Sequence, residues 1–209
     1  MRAIWLIAIV AFGALRSASA QLDAPTALSD FGGCSHETCT WVPTFNQKTF
    51  TRAQYQYTVN GGTFQLTSDG KLLFETSLLD LSASVSVVWS KDNSSFAITW
   101  SNGGAIGGFQ VRSFKIDGDR VTEEPVTKSA WPDFKARHYC KPRGDNIQAY
   151  EWSSAGDKLL LVLSVYPTGD CGKDLGHTEA YWVQANTGEI RQHLTLRELN
   201  LYMKHHPQM

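Results

Sequence analysis

Two stretches of this chain, VVWSKDNSSFAITWSNGG from Val87 to Gly104 and AYEWSSAGDKLLLVLSVY from Ala149 to Tyr166, carry the same order of parts. Each is a strand-like run ending in Trp-Ser, then a short polar turn, then a second apolar run. After Trp89 come SKDNSS, FAITW, a Gly-rich turn, FQVRSFKI, the turn Asp117-Gly118-Asp119 and a last run from Arg120 to Thr122. After Trp152 come SSAGDK, LLLVLSVY, a longer loop, AYWVQA, the turn Asn186-Thr187-Gly188 and EIRQHL. Each unit reads as a four-stranded antiparallel meander, one near 84–122 and one near 146–194. Upstream, YQYTV, TFQL and KLLFETS show the same period-two alternation of β-branched and aromatic residues between Gly, Asn, Asp and Ser. Helical periodicity is almost absent from the body of the chain, which is therefore expected to be all-β.

One four-stranded sheet cannot bury both its faces, so repeated meanders must stack on one another. Trp89-Ser90-Lys91-Asp92-Asn93-Ser94 and Trp152-Ser153-Ser154-Ala155-Gly156-Asp157 resemble the W-S-P-D-G strand-turn signature of TolB-type, WD-like β-propeller proteins. LTSDGKLLF, Leu66 to Phe74, resembles a third, degenerate copy. The resemblance implies blades packed face to face, with loops offered to partners. The signature's proline is missing from all three copies, and they lie 23 and 63 residues apart, where regular blades recur every ~40 to 45. The expected architecture is all-β, with antiparallel four-stranded meanders packed as propeller-like blades and a short C-terminal helix. A β-sandwich whose hairpins share ordinary Ser/Asp/Gly turns is the alternative. A chain with few blades can also close by pairing with a second copy, which makes a homo-oligomer possible.

The end of the chain changes character. Thr195 with Glu198 three residues on forms a capping box, and Leu196, Leu199 and Met203 follow at helical spacing. His205 and His206 suit the carbonyl end and Pro207 stops the helix, which is expected near 196–205.

The start of the chain concerns its destination. Arg2, the twelve-residue apolar run from Ile4 to Leu15, and the small residues Ala18 and Ala20 have the order of a secretory signal peptide cleaved after Ala20. A membrane-spanning helix needs about 20 apolar residues, so no membrane insertion is expected after cleavage. Residues 1–20 are read as leader and 21–209 as one secreted or periplasmic domain. That domain carries 17 basic and 20 acidic side chains, a formal charge of −3. Such a balance lacks the basic footprint that nucleic-acid binding requires. In an oxidising compartment the four cysteines are expected to form disulfides. The spacing favours Cys34 with Cys39 and Cys140 with Cys171, while metal binding is the rival for CSHETC.

Two segments fall outside the strand pattern: SAWPDFKARHYCKPRGD, Ser129 to Asp145, and PTGDCGKDLGHTE, Pro167 to Glu179. A Cys140–Cys171 bridge would hold them together, and loops on a rigid scaffold are where binding groups concentrate. The candidate binding residues are Trp131, Asp133, Arg137, His138, Arg143, Asp145, Asp170, Asp174 and His177. Asp170, Asp174, His177 and Glu179 are donors suited to a hard or borderline cation, although their spacing matches no calcium loop and no His-Glu-x-x-His helix. His138 or His177 with Asp133 or Asp145 has the composition of an acid–base pair. Trp131, beside a proline in a polar stretch, is expected nearer the surface than Trp89 and Trp152. Nucleophilic catalysis has no motif, for there is no G-x-S-x-G elbow, and no cofactor is implied. The reading that follows is an exported, non-catalytic binding module for a protein, peptide or carbohydrate ligand. The alternative is a metal-dependent hydrolase using the loop at 167–179.

Overall fold

The computed structural model describes residues 39–43, 48–60, 62–78, 84–101, 108–138, 146–165 and 172–206. The leader, Cys34, Cys140, Cys171, Arg143, Asp145 and Asp170 lie outside these residues, and Cys39 is described by its backbone only, so both disulfide pairings do too. No helix among the described residues is long and apolar enough to cross a membrane.

The alternation read from the sequence sorts residues into three antiparallel sheets. The strands are β1 (Cys39–Pro43), β2 (Lys48–Arg52), β3 (Tyr55–Asn60), β4 (Thr63–Ser68), β5 (Lys71–Ser77), β6 (Ser84–Trp89), β7 (Ser95–Ser101), β8 (Phe109–Asp117) and β9 (Arg120–Glu124). After helix α1 (Thr127–Arg137) come β10 (Ile147–Trp152), β11 (Lys158–Ser164), β12 (Thr178–Gln184), β13 (Ile190–Leu194) and helix α2 (Leu196–His205). The first sheet is the meander β2-β3-β4-β5 and the third is β10-β11-β12-β13. The central sheet is the meander β6-β7-β8-β9, with β1 added along the free edge of β6.

The Trp-Ser recurrence has a structural cause in the turn. Ser90 N donates to Ser95 O at 2.9 Å, Asn93 N donates to Ser90 O at 3.0 Å, and Ser95 N donates back to Ser90 Oγ at 2.9 Å. In the third sheet, Ser153 N to Lys158 O, Gly156 N to Ser153 O and Lys158 N to Ser153 Oγ repeat these contacts at 2.9, 2.8 and 3.2 Å. The serine hydroxyl thus closes a loop whose fourth residue has positive φ, +59° at Asn93 and +70° at Gly156. The upstream LTSDGKLLF is a correction. It forms the β4–β5 hairpin, the third connection of its meander, whereas the two Trp-Ser turns are first connections. Asp69 and Gly70, at φ +51° and +76° between the paired Ser68 and Lys71, make a two-residue type I′ turn. That turn occurs in hairpins of every kind, which is why its sequence mimics the signature.

Alternation also builds the cores. Val85, Val87, Trp89, Phe96, Ile98, Phe114 and Ile116 of the central sheet pack with Tyr55, Tyr57, Phe64 and Leu66 of the first. Stacked rings run through this layer, with Phe64–Phe96 at 5.5 Å and Phe96–Phe114 at 5.1 Å. The opposite face of the central sheet presents the smaller Val88, Ala97 and Val111 to Ile147, Trp152, Leu159, Leu161, Leu163, Tyr181 and Val183 of the third. Every position of β7 is buried. On the far side of the third sheet, Tyr150, Leu160, Val162 and Leu194 are covered by Leu199, Tyr202 and Met203 of α2. The helix starts at the expected capping box, with Thr195 N donating to Glu198 Oε2 at 2.8 Å.

Helix α1 departs from the sequence reading, which treated Ser129 to Asp145 as an irregular polar segment. It has no side-chain N-cap, contains Pro132, and buries only Ala130 and Phe134, so its sequence lacks a helical signature. It forms because that i, i+4 pair docks on the core between the central and third sheets. Trp131 is half-buried, stacked on Phe134 at 5.8 Å with Lys135 Nζ 5.2 Å from its centroid. Trp89 and Trp152, 1 % and 8 % exposed, end the first strands of their meanders and both face the preceding sheet.

Candidate metal centre

Three pieces of chain meet at one rim of the third sheet. His138 follows the last residue of α1 in extended conformation and its ring packs on Phe134 at 4.5 Å. The β11–β12 connection enters through a 3-10 turn, Gly172–Asp174, and His177 N donates to Asp174 O at 3.0 Å. Gly176 at φ +71° turns the chain between them. Glu179 and Tyr181 then share one face of β12 by period two, and His193 on β13 lies across from Tyr181.

Glu179 is the hub. Its Oε1 lies 3.1 Å from His177 Nε2 and 3.7 Å from His138 Nε2. Its Oε2 accepts from Tyr181 Oη at 2.8 Å and lies 2.9 Å from His193 Nε2. His138 and His177 rings are 4.4 Å apart, and His138 Nδ1 is 3.9 Å from Asp174 Oδ1. Ligand atoms of His138, His177 and Glu179 all lie within 4.8 Å of one another.

Burial opposes ionisation of Glu179, but hydrogen bonds from Tyr181, His177 and His193 outweigh it and hold the carboxyl below its ordinary range. Burial, and then the neighbouring His177, lower the pKa of His138 against the pull of Glu179 and Asp174. Burial and the adjacent Glu179 raise the Tyr181 phenol. At neutral pH the rim therefore offers a carboxylate, a neutral imidazole and a protonated phenol. Carboxylate and neutral imidazole are the forms that ligate a metal. The His138 side chain is 6 % exposed, and its Nε2 is buried without a hydrogen-bond partner.

Of the residues singled out in the sequence, His138, Asp174 and His177 converge here with Glu179. Asp133 is bound to Arg137 at 2.8 Å one helical turn away, and Arg137 Nη1 lies 3.5 Å from His193 Nδ1, so this pair flanks the cluster. Asp133, one of the two carboxylates weighed as an acid–base partner, holds Arg137 and also hydrogen-bonds with Tyr181 at the edge of the cluster, while Glu179 is the carboxylate that lies against both imidazoles. Trp131 belongs to the α1 packing. Tyr181 and His193 were not anticipated. Counting by two from His177 reaches Tyr181, but placing His193 requires the β12–β13 register, which shifts between Trp182 and Val183. Compared with known proteins, the chain finds no match to a family model, a curated protein or a solved structure.

Proposed function

We propose that this chain is an exported binding module, a short stack of propeller-type blades whose rim holds a divalent transition-metal ion between His138 Nε2, His177 Nε2 and Glu179 Oε1. The leader-like residues 1–20 and the four cysteines support export. The repeated Trp-Ser turn and the face-to-face sheets support the blade reading. The observation that carries the metal assignment is the His138 Nε2 atom, buried and unpartnered, facing an ionised carboxylate and a second imidazole. A tetrahedral ion about 2.1 Å from each donor sets donor separations near ~3.4 Å, and the distances of 3.1 and 3.7 Å around Glu179 Oε1 bracket that value. Two nitrogens and one carboxylate oxygen favour zinc and its neighbours over calcium or magnesium. Tyr181 and His193 then orient the carboxylate from outside the ligand set.

Metal-stripped mature protein titrated with zinc against a chromophoric chelator is expected to bind one ion saturably. At ~100 times Kd the ion should stabilise the fold by about 2.7 kcal/mol. His177→Ala should weaken binding at least about tenfold. This residue is 39 % exposed at its side chain, so the variant should still fold. Equal affinity in the variant, or no stoichiometric binding, rejects the site. Mass spectrometry of the same preparation should show a start at Gln21 and no free thiol, and alkylatable cysteines would reject the oxidised compartment. The donor set of two histidines and a glutamate also occurs in hydrolytic zinc sites, which supports the second reading, a hydrolase using the 167–179 loop. Zinc-dependent turnover of activated esters or peptides, lost in His177→Ala, would move the assignment there.

A further inference from the structure

A second concavity, of about 580 Å³, opens where the β6–β7 turn, the β10–β11 turn and α2 come together. It lies within the size range of small-molecule sites. Trp182 and Tyr202 both line it, their rings 6.1 Å apart and nearly perpendicular at 81°. Tyr202 is itself stacked on His206 at 4.3 Å, so the corner offers a ring the Trp182 indole, walled by the Tyr202–His206 pair. Glu151 also lines it, from a position that the register shift in β10 between Ala149 and Glu151 creates. A bulge of this kind re-aims a side chain that regular pairing would send elsewhere. Gln192 adds an amide, and two lysines line the cleft, Lys91 from the β6–β7 turn and Lys158 from the first position of β11. Arg191 at the same cleft is held by Glu189 at 3.0 Å. Trp89, whose buried Nε1 has no hydrogen-bond partner, also borders the space.

We infer that this cleft is a binding site for an acidic saccharide, whose ring packs on the Trp182–Tyr202 corner and whose acidic substituent meets Lys91 and Lys158. Glu151 and Gln192 supply the acceptors and donors that sugar hydroxyls need, and the half-buried Glu151 carboxyl already accepts from Tyr202 Oη. Aromatic faces with a few polar groups suffice for a neutral sugar. The two lysines that line the cleft set the preference for an acidic one. The site uses none of the rim residues around Glu179, so it stands independently of the metal assignment.

The experiment is a fluorescence and calorimetric titration of metal-stripped protein with trigalacturonate and with its neutral counterpart, galactotriose. Saturable binding of the acidic trisaccharide is expected, with the neutral one weaker by about tenfold or more. Trp182→Ala should abolish saturable binding of either sugar. If that variant is not folded by circular dichroism, the double variant Lys91→Ala/Lys158→Ala, altered at one turn and at the first residue of β11, decides alone. It should remove the preference for the acidic sugar, and the preference in the parent should fade with added salt. Equal affinity for the two sugars, binding unaltered in the lysine double variant, or no binding of trigalacturonate overturns the proposal.

Discussion

Glu151, half-buried, and Glu179, buried, are carboxyls of one sheet whose surroundings drive them in opposite directions. Glu179 is held ionised by a phenol and two imidazoles. Glu151 has burial as the cause of its shift, and its pKa is pushed up to about 7. The groups around it in the cleft are Lys158 on β11, Arg191 on β13, Tyr202 and His206 at α2, and Lys91 on the neighbouring turn. Its folded pKa lies above the unfolded value, so the neutral form favours folding. That contribution is complete below about pH 4.5 and is lost as pH rises through 7. Glu151→Gln keeps an acceptor for Tyr202 and has no charge to bury. Its melting temperature should match the parent near pH 5 and exceed it near pH 8. A difference between the two proteins that stays constant across that range would show that burial of the charge is not what matters at this position.

Among the elements, those that satisfy their own local rules are legible in the sequence and those that borrow stability are not. The strands are legible because period two writes both faces of each sheet into the chain, and α2 because Thr195 and Glu198 cap it. Helix α1 is illegible because what holds it is distant: Phe134 and Ala130 in the core, and its first turn against Gly188 of the β12–β13 turn. The candidate site divides in the same way. His138, Asp174 and His177 stand out as polar groups in irregular segments. Tyr181 and His193 look like ordinary alternating strand residues until the register brings them to Glu179. Gly188 at φ +70° makes the dependence testable, since a Cβ there would lie 2.1 Å from the carbonyl oxygen of Pro125. Gly188→Ala must displace the start of α1, and with it His138 at the far end. We expect a cost above about 2 kcal/mol, together with weaker zinc binding. Leu199→Ala, which opens the core under α2 on the opposite face, should cost about 2 to 5 kcal/mol and leave zinc affinity at the parent value. Parallel loss of affinity in both variants would mean that zinc binding follows overall stability, with no specific path through α1.

At the scale of the whole molecule, the central sheet decides how the protein unfolds. Its two faces are closed by different neighbours, and β10 of the third sheet runs close to β6, β7 and β8. The outer face of the first sheet is largely polar, with Thr49 and Thr58 bonded at 3.1 Å, Gln65 donating to Glu75 at 2.6 Å and Leu72 exposed among them. The outer face of the third lies under α2. Both ends of the stack are thus finished as terminal repeats must be, and we expect a monomer whose melting temperature does not vary with protein concentration. Trp89 and Trp152 probe the two internal faces. Trp89 stacks on Tyr55 at 5.7 Å, while Trp152 donates from Nε1 to Val88 O at 3.1 Å across the sheets. Truncating either to alanine should cost about 3 to 5 kcal/mol. Each loss also uncovers one face of the same central sheet, so neither outer sheet can dissociate without exposing apolar surface that the rest of the molecule needs covered. Near- and far-ultraviolet circular dichroism should therefore report one coincident transition in both variants. A two-step curve in Trp152→Ala, with the aromatic signal of the first core surviving the first step, would show that the sheets fold as separate units.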